Sequence, residues 1–389
     1  MDYAGFILRR ERLDRNWSQE GLCKGICTVS YLSKIEQGKA EPVPELIQKL
    51  MSQLDIEWHD ADGQMTAFIE NVWETLLSFS LSIDGQFEHI FEDIDADRYL
   101  YSPLGADFLI LNSISSDAYL PLDEALEVCL NTRQLAFQRY LQKRFDEALR
   151  LFPCPYLYVM TGREYYSCGN MPTALENLQK GYQLAADEGY PHLMLLAQML
   201  MGNCYSNHRD IPAMQRHYQI ARRLAKALND DSSLQTIDYN TASTWLEAGA
   251  YDKALTYFAS IAKPSRMDLH KLAVCCEKLG RTEDALAAIR QAKTAPPYDW
   301  MPENLDERIL ELVEYRLTHP DYLNDENYGC ILTDTFTRMT AHLPSGYANF
   351  HLPWMLEWYE SNRRYRQAYL LMCDFPELRN NAAFKAKKP

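Results

Sequence analysis

Apolar residues recur along this chain at the spacing of a helix face. Leu175, Leu178, Tyr182 and Ala185 lie three or four apart, and Ala254, Leu255, Phe258 and Ile261 share a face in the same way. Alternating β-branched runs closed by Asn-Gly or Asp-Gly turns do not occur, so nothing marks a hairpin. Prolines at 153, 155, 172, 191, 212, 264, 296 and 297 fall where the helical patterns begin or end, the places that tolerate a residue without an N–H. The pattern predicts an all-α chain.

The first 54 residues read as four short helices. One runs from about Tyr3 to Asn16, with Leu8 and Leu13 inward. Ser18 is placed to cap a second, Gln19 to Lys24, and Gly25 allows a tight exit. Thr28 caps a third through Glu36, with Leu32 and Ile35 on its buried face and Gly38 at its end. Pro44 opens a fourth that carries Leu46, Ile47, Leu50 and Leu54.

Two short helices joined by a tight turn, the second polar on its outer face, describe a helix-turn-helix. The segment WSQEGLCKGICTVSYLSKIEQGK resembles the Xre-type (phage-repressor) helix-turn-helix family over about 50 residues. The resemblance implies that Gln19 holds a phosphate at the start of the second helix. It implies that Thr28, Val29, Ser30 and Lys34 face the major groove, and that Gln37 and Lys39 continue onto the DNA backbone. Arg12 and Glu36 match the family's paired residues that lock helix one to helix three. Cys27-Thr28 stand where many members have Gly-Val, and the loop is one residue shorter; in this the chain is similar to the peptide-responsive branch of low-GC Gram-positive bacteria. The chemistry agrees, because Lys and hydroxyl side chains can hydrogen-bond base edges and main-chain N–H groups at helix starts can hold phosphate.

A second pattern recurs further on, at 140–152, 166–178, 205–218, 245–258, 276–289 and 359–372. Each segment has an aromatic residue or Cys, a short polar turn, then Ala (Met214 in one) and a bulky residue four positions later. The small residue lets antiparallel helices approach closely. The pattern resembles the tetratricopeptide repeat, whose period is about 34 residues. Gly162, Tyr165 and Ala174 fit its signature, as do Gly202, Tyr205 and Tyr218. Spacing between the small positions is uneven, so the repeats are degenerate, and segments 64–94 and 319–350 read as helical without a clear register.

The repeat resemblance implies a right-handed α-solenoid whose inner helices line a concave surface. Tyr156, Arg163, Tyr166, Gln198, Met199, Asn203, Asn207, Tyr239, Asn240, Ser243, His270 and Lys271 then face inward. The expected peptide-binding set is Arg163, Tyr166, Asn203, Asn207, Tyr239, Asn240 and Lys271. Asn amides can pair both the N–H and the C=O of an extended peptide, and Arg163 or Lys271 can take a carboxylate.

Composition narrows the field. The chain has 389 residues and 45.1 kDa, room for two to three domains. Acids outnumber bases 54 to 39, a net charge of −15, so the chain as a whole is no polyelectrolyte binder of nucleic acid. Charge is uneven: residues 1–54 carry eight Lys/Arg against seven Asp/Glu, while 55–97 carry twelve acids and no Lys or Arg. We therefore expect a helix-turn-helix domain at 1–57, an acidic helical linker at 58–112 and the repeats at 113–389. No apolar run is long enough to span a membrane, and Met1–Arg12 lacks a signal-peptide core. Ten cysteines without a C-x-x-C read as buried, reduced thiols of a cytoplasmic protein rather than a zinc site. The acidic tract lacks calcium-loop spacing and reads as a solvated face. No phosphate-binding, dinucleotide, metalloprotease or serine-hydrolase motif is present, so no enzyme, metal or cofactor is expected.

Head and repeats together resemble the RNPP group of peptide-sensing transcription regulators. That likeness implies a homodimer on a pseudo-palindromic operator, its recognition helices roughly 34 Å apart. It also implies a small peptide whose binding shifts the spacing of the two heads. Two alternatives stay open: a regulator whose repeats dock a protein partner, and a repeat scaffold that no longer binds DNA.

Overall fold

One turn, used six times, organises most of the chain. At Lys143, Gly169, Arg209, Gly249, Gly280 and Arg363 the backbone takes a left-handed conformation, with φ between 55° and 82°. The next residue's N–H then bonds to the carbonyl five residues back, as from Ala250 to Trp245 at 2.8 Å and from Arg281 to Cys276 at 2.8 Å. This is the Schellman closure of a helix C-terminus. Five residues after each left-handed position comes a small or slim buried residue: Ala148, Ala174, Met214, Ala254, Ala285 and Ala368. All six turns fall within the six segments that carry the sequence repeat.

The computed structural model describes residues 3–79, 90–116, 124–298 and 300–374, and among these it contains helices and no strand. The chain forms two compact units, Met1–Thr161 with Lys180–Met194, and Gly162–Gln179 with Leu195–Pro389. The first holds α1 (Tyr3–Asp14), α2 (Gln19–Cys23), α3 (Val29–Glu36), α4 (Pro44–Gln53), α5 (Gly63–Ser78), α6 (Ala96–Leu100), α7 (Gly105–Ser115), α8 (Glu124–Glu127), α9 (Thr132–Leu141) and α10 (Phe145–Leu151). Residues of α11 (Pro155–Ser167), α12 (Met171–Glu188) and α13 (Pro191–Asn207) are shared between the units. The second continues with α14 (Ile211–Leu228), α15 (Asp231–Glu247), α16 (Tyr251–Ala259), α17 (Arg266–Lys278), α18 (Thr282–Thr294), α19 (Leu305–Thr318), α20 (Glu326–His342), α21 (Ser345–Ser361) and α22 (Tyr365–Asp374).

In the first unit, α1 to α4 enclose Leu8, Leu22, Leu32, Ile35 and Leu50, all essentially without solvent exposure. Ser18 accepts a hydrogen bond from Gly21 N and Thr28 from Tyr31 N, so both expected caps form. Gly38 has the expected left-handed φ of 66°. Leu13 departs from expectation. It lies on the outer face of α1, 51% exposed, because Leu8 and Arg12 already fill the inward positions of that turn. His59 N, just past the head, donates to Tyr101 O at 2.9 Å and so ties the head to the α6–α7 connection. Trp73 donates to Asp107 at 2.7 Å and stacks edge-on against Phe137, which in turn stacks on Tyr156. Of segment 64–94, α5 bears out the helical expectation, residues 80–89 lie outside the described residues, and 90–94 form turns and a bend.

In the second unit each helix from α14 to α22 packs against its neighbours in the chain, the arrangement of a repeat stack. Ala254, Ala273, Ala285, Ala288 and Ala292 keep the helix axes close, and Phe258, Ile289, Leu310 and Leu332 fill the space between. None of the ten cysteines forms a disulfide; Cys23, Cys154, Cys204, Cys275 and Cys276 are buried as expected, whereas Cys168 and Cys330 are exposed.

The repeated turn can be tested at Gly249, where φ is 82° and an added Cβ would meet nothing closer than 3.9 Å. Gly249→Ala therefore isolates backbone strain from steric clash, and we expect it to cost about 1–2 kcal/mol in a urea or thermal unfolding transition. An unchanged midpoint would show that the turn does not constrain the stack.

Candidate functional site

Two regions carry functional side chains, one in each unit. In the first, the orientation of α3 is fixed by a buried charge pair. Arg12 on α1 donates to Glu36 through Nε at 2.7 Å and a second guanidinium nitrogen at 2.8 Å, and also caps Trp17 O at 2.7 Å. Arg12 and Glu36 are 8% and 2% exposed. The Glu36 hydrogen bonds, the first-ranked cause, push the Arg12 pKa up, against the opposing effect of its burial. Gln19 joins the network, its Nε2 donating to Glu36 Oε2 at 2.8 Å. One Gln19 N–H remains for a phosphate.

With α3 held in this way, Thr28, Val29, Ser30, Lys34, Gln37 and Lys39 all face solvent. The Thr28 oxygen caps the helix but its hydroxyl proton remains free to donate. Gln37 bridges Ser33 and Lys39, at 3.0 and 2.8 Å, which draws the Lys39 ammonium to the C-terminal edge of α3. The exposed face presents cations and hydroxyls and no carboxylate from α3, since Glu36 is turned inward.

The second region is a cavity of about 240 Å³ within the second unit. Its wall comes from α11, α13, α14, α15, α17 and α21. Six of the seven residues expected to bind a ligand line it: Tyr166, Asn203, Asn207, Tyr239, Asn240 and Lys271. Arg163 does not; it is exposed, its nearest charged neighbour being Glu164 at 3.9 Å. Of the residues expected only to face inward, Ser243 lines the cavity. Tyr156 is instead buried in the first unit against Phe137. Gln198 is buried and bonded to His217 at 2.8 Å, and Met199 packs on the Leu195–Tyr218 cluster. His270 lies beneath the wall, fully buried and stacked on His351.

The asparagines form a connected set. The Tyr218 hydroxyl donates to Asn203 Oδ1 at 2.6 Å, and Asn240 Nδ2 donates to the same oxygen at 3.1 Å. Gly202 makes this possible, because a Cβ there would lie 2.2 Å from the Tyr218 ring. The Thr244 hydroxyl donates to Asn240 O at 2.7 Å, so Ser206, 2.5 Å away, donates to Thr244. Asn203 thus has its acceptor oxygen filled and its Nδ2 free, while Asn207 Nδ2 is buried with no hydrogen-bond partner.

Lys271 is only 7% exposed, and its ammonium sits 3.1 Å from the centre of the Phe350 ring. No carboxylate lies within ion-pairing distance among the described residues; Glu247 and Arg209 act on each other and, in Glu247's case, on Lys271 only at longer range. Burial pushes the Lys271 pKa down to about 8, against the attraction of Glu247. Burial pushes Glu247 up, opposed by Lys271 and Arg209. Burial takes His351 down to about 3, so it is neutral, and its Nδ1–H donates to Tyr347 O at 2.8 Å.

Sequence reasoning missed the contribution of α21, which brings Gly346, Tyr347, Phe350 and His351 to the cavity, and also missed Ser206, Tyr218, Glu247 and Met267. A neighbouring cavity of about 530 Å³ shares Glu247 and Phe350 with the first. Among the described residues no cluster of His, Cys, Asp or Glu is placed to hold a metal ion, and no helix is long and apolar enough to cross a membrane.

Comparison with known proteins bears on the head. Residues 8–60 match the helix-turn-helix family model (HTH_3), so the chain carries a helix-turn-helix DNA-binding domain. No curated protein matches the chain. A solved structure, Bacillus thuringiensis PlcR in complex with the peptide PapR7 and DNA, is similar at 13% identity over 82% of this chain and 100% of that one, with a TM-score of 0.20. A score that low carries no weight for ligand or mechanism.

This geometry sets two expected outcomes. Arg12→Ala leaves Glu36 buried without its cation, and we expect a loss of about 3–5 kcal/mol in urea unfolding, with DNA binding lost wherever the head unfolds. Lys271 has a lowered pKa, so its cost to the folded state is fully present below pH 8 and vanishes by about pH 10.5, its ordinary value. The groups around it are Glu247, Cys275, His270, His351 and Phe350. Relative to Lys271→Met, wild-type stability should rise by roughly 2–3 kcal/mol between pH 8 and 10.5. A pH-independent difference would mean the ammonium is solvated.

Proposed function

We propose that the chain is a cytoplasmic transcription regulator of the RNPP kind. Its head binds a pseudo-palindromic operator as part of a homodimer, and its second unit senses a small peptide that alters operator binding. The supporting observation for DNA binding is the outward face of α3, rigidly held by Arg12 and Glu36 and carrying Thr28, Val29, Ser30 and Lys34. Lys34 and the hydroxyls read base edges, while Gln19, Gln37 and Lys39 hold the backbone. With a net charge of only +1 over residues 1–54, non-specific affinity is low, and specificity depends on two heads acting together.

The support for peptide sensing is the asparagine set. Asn203, whose oxygen is filled and whose Nδ2 is not, stands with Asn207 and Asn240 in the wall of a cavity that Tyr166, Tyr239 and Phe350 also line. A peptide backbone supplies the matching carbonyls, and the aromatic walls take its side chains. Coupling to DNA requires that the peptide bind one conformational state better than another.

Fluorescence anisotropy on the DNA upstream of the protein's own gene tests the reading. We expect specific binding that weakens with salt, and a loss of about 1–3 kcal/mol for Lys34→Ala on the specific site with a smaller loss on random DNA. Equal affinity of wild type and Lys34→Ala on both sequences would sink the assignment of α3 as the reading helix.

A further inference from the structure

Lys271 poses a physical problem that its neighbouring side chains do not solve. A buried ammonium without an anion carries a desolvation penalty that is ordinarily met by an ion pair. Here the described residues put the Phe350 ring under Nζ and no carboxylate or hydrogen-bond acceptor in contact with it. A cation–π contact offsets only part of such a penalty.

The surrounding charges put no anion in contact with the Lys271 ammonium. Glu247 is the only carboxylate that lines the cavity, and it is acted on by both Lys271 and Arg209. Arg209 Nε is itself buried without a partner. The neighbouring cavity that Arg209 lines also carries Lys278, Glu357 and Glu360, so Arg209 has carboxylates there, whereas in its own cavity Lys271 has only Glu247, with which it forms no ion pair. On the asparagine side of the first cavity the unused group of Asn203, its Nδ2, is also a donor.

We infer that Lys271 is the receptor for a free carboxylate on the peptide, so that the ligand class is a short peptide that offers such a carboxylate rather than one whose carboxylates are all blocked. This deepens, and rests on, the peptide-sensing reading above. The carboxylate enters beside Nζ above Phe350 and supplies the missing anion, while Asn203 and Asn207 donate to carbonyls further along the peptide. A cavity of about 240 Å³ is below the usual 300–1,000 Å³ of small-molecule sites, so it holds an end or a side chain of the peptide, not its whole length. Two sources offer the same chemistry, the C-terminal carboxylate and an Asp or Glu side chain.

Affinity selection with mass-spectrometric readout tests this with three synthetic pentapeptide libraries offered to the full-length protein. One has free C-termini and lacks Asp and Glu. The second is C-terminally amidated and contains one Asp or Glu per peptide. The third is amidated and lacks both. We expect retention from the first or the second, which identifies the source, and at least tenfold less from the third. Lys271→Met should lose that preference, and Lys271→Arg, which keeps the charge, should retain it. Equal retention from all three libraries by wild type overturns the carboxylate assignment and leaves peptide sensing standing. Retention from none overturns peptide sensing, and this inference with it. The wild-type comparison decides the matter even where a Lys271 variant does not fold.

Discussion

The Schellman turn succeeded five residues later by a small buried side chain is the constraint on which the helix pairs depend. A left-handed residue reverses the chain within three positions, and the small residue then lets the returning helix lie close against the one before it. Both halves are needed. Without the reversal the helices separate, and without the small residue they cannot close. Three of the six left-handed positions are Lys143, Arg209 and Arg363, which accept strain that glycine would avoid. Packing of Ala148, Met214 and Ala368 offsets that strain locally. Because the turn is so short, the last turn of each first helix and the first turn of each second helix are placed together. Asn203, Ser206 and Asn207 occupy that position on α13, and Ser243 and Glu247 on α15.

Much of this was legible in the sequence, and the reason is local spacing. Ser18, Thr28 and Gly38 act within a few residues of themselves, so their roles come from helix chemistry alone. The repeat turns were legible for the same reason, as were the inward positions of α15 and, on α13, Asn203 and Asn207 but not Gln198 or Met199. What failed was phase. α21 carries Phe350, Leu352, Trp354, Met355 and Leu356 in near-continuous succession, so its apolar positions mark no single face. Nothing in that run separates the residues that pack from those that line the cavity. Arg163 failed differently. Its position on α11 is helical as expected, but it lies about 60° around the helix from Tyr166, three residues on, and that is enough to carry it to solvent while Tyr166 lines the wall.

Lys271 shows the limit of periodicity most clearly. The sequence places it on an inner helix with a cation to offer, and this was the correct side. It could not disclose that Leu269, His270, Ala273, Val274, Cys275 and Cys276 are buried around nearly the whole circumference of α17, which turns an exposed groove lysine into an interior one. The difference changes the chemistry. An exposed lysine contributes little to a carboxylate partner, because water screens the pair and both side chains must be ordered. An interior lysine next to a cavity already carries the desolvation penalty in the free protein, so a guest anion meets a cation that water no longer screens.

The head and the second unit use buried charge in opposite ways. Arg12 and Glu36 are paired, doubly hydrogen-bonded and joined by Gln19, so the network has one stable arrangement and holds α3 as a rigid reading surface. Lys271, Glu247 and Arg209 are near one another without contact, and two of them are cations. A regulator needs both devices. On the proposed reading, the DNA-contacting surface must not vary with ligand, whereas the second unit must hold a free-energy difference that a ligand can change. Burying a lysine with no anion in contact costs stability in the free state, and on the proposed reading that cost is the free energy a carboxylate can return on binding.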